Sequence, residues 1–219
     1  MNIDDVLKYC DHTNLSQTAT SKDILKLVKQ GEKYGVASVC VAPCFISFVK
    51  NISNINLCTV IGFPNGYQLT ATKVYETKQA IALGANEIDM VININWLKEG
   101  KLEDILNEIN EVKAACKGKV LKVIVETAFL DREEKINICE VINKSNADYI
   151  KTSTGFASKG ATFEDIKLFR EYIKGKKIKA AGGIRTLEDA IEYINLGCDR
   201  LGTSSLVKIK EQESGETQY

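Results

Sequence analysis

The sequence predicts a single α/β domain folded as an eight-stranded parallel barrel, the (β/α)8 TIM barrel. Three observations carry this. Short β-branched runs alternate with longer stretches of helical spacing along the chain. The 219 residues include only two prolines and no Ser/Gly-rich linker that would mark a boundary. No GxGxxG fingerprint follows any run, which weakens the rival reading, an open doubly wound sheet. Strand–helix alternation throughout means parallel strands joined by crossovers.

The elements follow in order. Seven runs read as strands: Val36–Val41, Leu57–Ile61, Glu87–Ile92, Val120–Val125, Asp148–Lys151, Lys177–Ala181 and Asp199–Gly202. An eighth is needed for closure, and Tyr9–Thr13, short and more polar, supplies it at the N-terminal end. Ile24, Leu25 and Val28, then Ile105, Ile109 and Val112, carry the helical spacing between strands. Thr20-x-x-Asp23, Thr162-x-x-Asp165 and Thr186-x-x-Asp189 mark helix starts, each placing a hydroxyl to cap free amides and a carboxylate near the positive helix end. The barrel is expected to occupy residues 1–210, with 211–219 a flexible polar tail.

Composition narrows the function. Lys+Arg and Asp+Glu both number 29, so the basic excess needed for nucleic acid or an anionic membrane is missing. The N-terminal residues contain no apolar run long enough for a signal peptide or membrane span. Seven cysteines without a CxxC pair suit reduced thiols in the cytoplasm. With His12 the only histidine and no cysteines spaced for ligation, no metal and no cofactor is expected. Cys40 reads as a small core hydrophobe and His12 as a packed or hydrogen-bonded group. Small-molecule chemistry in solution remains.

In a parallel barrel that chemistry sits at the C-terminal ends of the strands. Lys151 follows Tyr149-Ile150 and opens a Thr/Ser/Gly turn, and Lys179 lies on the next strand, where alternation lets both ammonium groups point inward. Two like charges, partly desolvated, favour the neutral amine, and a neutral lysine is a nucleophile that forms an imine with an aldehyde. A rim lysine that only holds phosphate is the alternative. Asp89, an acid inside an apolar strand, is either a structural ion-pair partner or a proton shuttle with Lys179 or water. Gly182-Gly183 and Gly202-Thr203-Ser204-Ser205 follow consecutive strands, the position where barrels bind phosphate. A phosphosugar isomerase or lyase using Asp89 as base, and a binding barrel without turnover, share these features.

The motifs together, Asp11-His12-Thr13, Val39-Cys40-Val41-Ala42-Pro43, Glu87-Ile88-Asp89-Met90-Val91, Lys122 to Thr127, Lys151-Thr152-Ser153-Thr154-Gly155-Phe156, Lys179 to Arg185 and Gly202 to Ser205, resemble the 2-deoxyribose-5-phosphate aldolases over almost the whole chain. The resemblance implies a metal-free class I aldolase that reversibly cleaves 2-deoxyribose 5-phosphate to acetaldehyde and glyceraldehyde 3-phosphate. It implies Lys151 as the Schiff-base lysine, Lys179 as the second lysine that tunes it, and Asp89 as the acid of the proton relay. Asp11 and Lys122 would support that centre, and Gly155, Gly182, Gly183, Ser204 and Ser205 would cradle phosphate. Some relatives end, like this chain, in a tyrosine after a polar stretch, which makes Tyr219 a candidate proton donor to the enamine. Partners would be phosphosugar and aldehyde substrates, with a homo-oligomer allowed. Lys159-Gly160-Ala161-Thr162 departs from the Gly-Gly-Ala-Thr common in the family, and Ala42-Pro43 from Asn-Pro, so the loop beside the substrate is open to a different shape.

Overall fold

Polar and apolar residues alternate along the strands, and that period of two sorts the barrel into a charged interior and an apolar outer wall. Ile88 and Met90, Leu121 and Val123, Ile150, and Ile178 and Ala180 join the continuous hydrophobic core. The residues between them, Asp89, Lys122 and Lys179, are fully buried charges. Fully burying each such aliphatic side chain contributes about 1.5–3 kcal/mol, and this seam offsets the desolvation of the interior.

A computed structural model, which describes residues 1–213, arranges the strands as a closed parallel barrel in chain order. The strands are β1 Cys10–Asn14, β2 Ser38–Val41, β3 Leu57–Ile61, β4 Glu87–Val91, β5 Val120–Ile124, β6 Tyr149–Lys151, β7 Lys177–Ala181 and β8 Arg200–Thr203. A short helix α1, Ile3–Leu7, precedes β1. The crossovers carry α2 Ser21–Tyr34, α3 Ile46–Ile52, α4 Thr70–Ala82, α5 Ile94–Lys98, α6 Leu102–Ala115, α7 Arg132–Lys144, α8 Phe163–Tyr172 and α9 Leu187–Asn195, and α10 Leu206–Glu213 follows β8. The sequence-based expectation of a (β/α)8 barrel holds, including the polar first strand that pairs with both β2 and β8 to close it.

Thr20, Thr162 and Thr186 are N-caps, accepting from the amides of Asp23, Asp165 and Asp189. Most strand ends fall within one residue of expectation, and two boundaries differ by more. Val36 belongs to the end of α2: Gly35 turns left-handed at φ 62° and the Val36 amide donates to the Gly31 carbonyl at 3.2 Å, so β2 starts only at Ser38. The last helix runs to Glu213, past the expected start of the tail at 211. Gln30 Nε2 donates to the Glu211 carboxylate at 2.8 Å and ties it to α2. Tyr219 lies outside the described residues.

One ion pair braces the outside of the wall. Lys73 on α4 donates to Glu108 on α6 at 2.8 Å and to the Val91 carbonyl at 2.9 Å, and the second Glu108 oxygen accepts from the Asn93 amide at 3.2 Å. Both side chains are fully buried, so the end of β4 is held from behind.

Candidate active site

Parallel pairing sets which interior residues share a level. Asp89 is level with Lys122 across β4–β5, Lys151 with Lys179 across β6–β7, Lys179 with Arg200 across β7–β8, and Asp11 with Ser38 across β1–β2. Paired residues share a face, so these side chains converge.

Asp89 is the hub. Its Oδ2 accepts from Lys151 Nζ and from Lys179 Nζ, both at 2.7 Å, which holds the two ammonium groups within two hydrogen-bond lengths of each other. Its Oδ1 accepts from Lys122 Nζ at 2.9 Å and from the Cys58 thiol at 3.2 Å. Asp11 pairs with Lys179 and Arg200 and accepts from Ser38 Oγ at 2.7 Å. Below it, Glu87 pairs with Lys122 at 2.5 Å and with Arg200 Nη2 at 2.9 Å. Three carboxylates thus face four cations, leaving one positive charge in excess. Glu87, Arg200 and Cys58 were not singled out from the sequence, although Glu87 and Asp89 already keep the period-two register of an inward face.

The charges decide protonation. Burial alone would push the Asp89 carboxyl up, but Lys122, Lys151 and Lys179 outweigh it and hold it well below the usual carboxylate range. Burial would likewise pull Lys179 down, yet Asp11 and Asp89 hold it above the ordinary lysine range. For Lys179 this corrects the expectation that a neighbouring lysine would loosen its proton. Lys179 keeps two carboxylates and stays cationic, whereas Lys151 pairs with Asp89.

Above the network lies a cavity of about 640 Å3. Lys151 lines it together with Gly155, Gly182, Gly183, Ser204 and Ser205, so the five residues expected to cradle phosphate surround one space with the candidate nucleophile. The left-handed backbone at Gly182 and Gly183, φ 80° and 78°, is open to glycine and strained for other residues. Gly160 packs against this turn so closely that a Cβ there would lie 2.2 Å from the Gly182 carbonyl oxygen. Ser205 precedes α10, its carbonyl accepting from the Ile209 amide at 3.0 Å, so a helix N-terminus opens beside the cavity.

Glu126, within the Lys122 to Thr127 motif, holds the Lys151 turn. Its buried carboxylate accepts from the Thr154 amide at 3.1 Å and from the Thr154 hydroxyl. Burial raises its carboxyl, and the Thr154 bonds work against that rise. Cys40 is buried as expected, but the barrel brings Cys40, Cys58 and Asp89 within 4.8 Å of one another, a grouping that linear spacing hides. The three ammonium groups already on Asp89 disfavour a further cation there.

His12 is buried against α2, its Nε2 3.1 Å from Gln30 Oε1. Because Gln30 donates its amide to Glu211, its oxygen faces the ring and the network assigns the ring proton to Nε2. Burial lowers the His12 pKa despite the bond to Gln30 and the charge of Glu211. A lowered histidine contributes stability that is present above its unfolded pKa of about 6.5 and lost as pH falls through the folded value. The denaturant midpoint is therefore expected to drop between pH 7 and pH 5, and His12→Gln to flatten that limb. An equal slope in the variant would assign the limb to another group.

A closed parallel barrel carries a lysine pair that shares one buried carboxylate beneath a mouth of glycine and serine loops, the layout of a barrel enzyme with its site at the strand ends. The signature of the DeoC/LacD family aldolase matches residues 5–209, and the chain belongs to that family. It is 50% identical over 221 residues to a deoxyribose-phosphate aldolase of Clostridium botulinum (strain Alaska E43 / Type E3), covering 100% of this chain and 99% of that one. Among solved structures it resembles "QR15, an Aldolase", with TM-score 0.92, 40% identity and 97% of each chain covered. It also resembles the deoxyribose phosphate aldolase from Aeropyrum pernix, described as having a unique tetrameric structure, with TM-score 0.90 and 30% identity over 99% of this chain and 94% of that one.

Proposed function

We propose that this chain is a class I aldolase that reversibly cleaves 2-deoxy-D-ribose 5-phosphate to D-glyceraldehyde 3-phosphate and acetaldehyde. The observation that carries the reading is the Asp89 oxygen shared at 2.7 Å by Lys151 and Lys179, directly below a cavity lined by glycine and serine loops. Similarity to the Clostridium botulinum enzyme supports the substrate.

Because Lys179 keeps Asp11 as well as Asp89, Lys151 is the amine that gives up its proton and attacks the C1 aldehyde of the open-chain sugar. Loss of water leaves an iminium that draws electrons from the C2–C3 bond. The C3 hydroxyl proton passes to a water held by Asp89 and Lys179, the bond breaks, and glyceraldehyde 3-phosphate departs. The remaining enamine takes a proton at C2 and is hydrolysed to acetaldehyde. Asp11 and Lys122 keep the relay charges in place, and Gly155, Gly182, Gly183, Ser204 and Ser205 anchor the phosphate.

Borohydride reduction in the presence of acetaldehyde tests the covalent step: the Lys151 peptide gains an ethyl group. Labelling confined to another lysine would overturn the assignment, and a phosphosugar isomerase on the same scaffold would give no label. Activity survives exhaustive chelation under this mechanism, which uses no cofactor. A reversible loss with EDTA, restored by zinc, would contradict it. Seven free thiols suit a reducing compartment such as the cytoplasm, and among the described residues no helix is long and apolar enough to cross a membrane. A homo-oligomer is compatible with the tetrameric Aeropyrum pernix relative, and light scattering measures the state directly.

A further inference from the structure

The substrate cavity has a neighbour. A second cavity of about 300 Å3 lies on the β1–β3 side of the mouth, with Leu15, Ala42, Phe45, Val60, Phe63 and Phe156 among its walls. Leu15, Ser16 and Phe156 line both spaces, so the two cavities share a partition. The glycine and serine loops of the first cavity follow β7 and β8, and in the closed strand order β3 lies across the barrel from β7. The second cavity is therefore opposite the phosphate end of the first.

Phe156 forms that partition. It follows the Lys151 turn directly after Gly155, and its ring stands edge-on to Phe63, with centroids 5.2 Å apart and planes at 87°. Phe63 sits on a tethered loop: the Gly62 amide donates to Glu76 at 2.9 Å, and the Gly66 amide to the Gly62 carbonyl at 2.8 Å. A Cβ at Gly66 would lie 1.9 Å from the Ile92 carbonyl oxygen, so this loop is pressed onto the end of β4. Phe156 is 48% exposed, and its ring meets that of Phe63 edge-on.

We propose that the second cavity is a donor-side subsite that receives the alkyl chain of aliphatic aldehydes longer than acetaldehyde, and that Phe156 sets the chain length accepted. This rests on the reading of Lys151 as the imine-forming lysine. Once C1 is bonded to Lys151 and phosphate is anchored after β7 and β8, a substituent on C2 has to leave away from the phosphate. Acetaldehyde carries only hydrogen there. Propanal, butanal and hexanal carry a methyl, ethyl and butyl group there, which the apolar part of the wall accommodates, and each further methylene buried strengthens binding about fourfold.

The test uses the full chain with acetaldehyde, propanal, butanal or hexanal, borohydride trapping, and mass mapping of Lys151. The readout is the trapping efficiency of each longer aldehyde relative to acetaldehyde. Phe156→Ala removes the aromatic part of the partition and is expected to raise the hexanal-to-acetaldehyde ratio about tenfold or more. Ala42→Leu, which narrows the second cavity and leaves the lining of the first intact, is expected to lower it several-fold. Labelling by acetaldehyde with a ratio indifferent to both substitutions would overturn the subsite alone. Absence of label with every aldehyde would overturn the imine reading and the subsite with it.

Discussion

Lys151→Arg is expected to abolish aldol cleavage, by on the order of 10⁴-fold or more, while leaving the protein folded. Arginine keeps a cation against Asp89 Oδ2, so the buried carboxylate retains all its charge partners. What it lacks is an amine that can become neutral and form an imine. Circular dichroism and the denaturant midpoint are expected near wild type, and borohydride with acetaldehyde is expected to leave residue 151 unlabelled. Turnover within tenfold of wild type would mean that the barrel works without this nucleophile, as an isomerase using Asp89 as base would.

The second large effect is expected at Lys179. Lys179→Leu removes a buried cation from both Asp11 and Asp89, and breaking a buried pair costs about 3–5 kcal/mol. Here Asp11 keeps Arg200 and Ser38, and Asp89 keeps Lys122 and Lys151, so the loss falls at the lower end of that range. Turnover is expected to drop by about 10²–10⁴ through loss of the proton relay. A merely structural role would lower stability alone. A relay role adds a loss of kcat in a Lys179→Leu protein that circular dichroism shows to be folded. Lys179→Arg, which restores the charge, is expected to recover stability and part of the turnover. Near-normal rates in the folded Lys179→Leu protein would leave Lys179 as a structural cation only.

The interior charges were legible because they interrupt apolar strands at a period of two. Asp89 between Ile88 and Met90, and Lys179 between Ile178 and Ala180, have no reason to be there unless something faces them. The Thr-x-x-Asp starts and the Gly-Gly turn were legible for the same local reason. What stayed hidden depends on closure. Arg200 and Glu87 lie 113 positions apart and meet only when β8 returns to β1, so no spacing announces them. Cys40 and Cys58 become neighbours through the β2–β3 register. Glu211 was assigned to a tail because its own segment is polar, while its tether to Gln30 is 181 positions away. The capping box at Asp131 and Glu134 is different: it is written locally and was overlooked.

The close approach of Gly160 to Gly182 bears on how this mouth can be redesigned. The two loops touch backbone to backbone, without side chains that could repack between them. A library that varies either glycine would displace the partner loop, and with it the residues around Lys151, so altered selectivity there would be confounded by misfolded members. Ser204 and the first turn of α10 offer an independent handle on the same rim, since they reach the cavity from a helix start. Randomising that edge while holding residues 160 and 182 fixed separates tuning of the rim from damage to the scaffold.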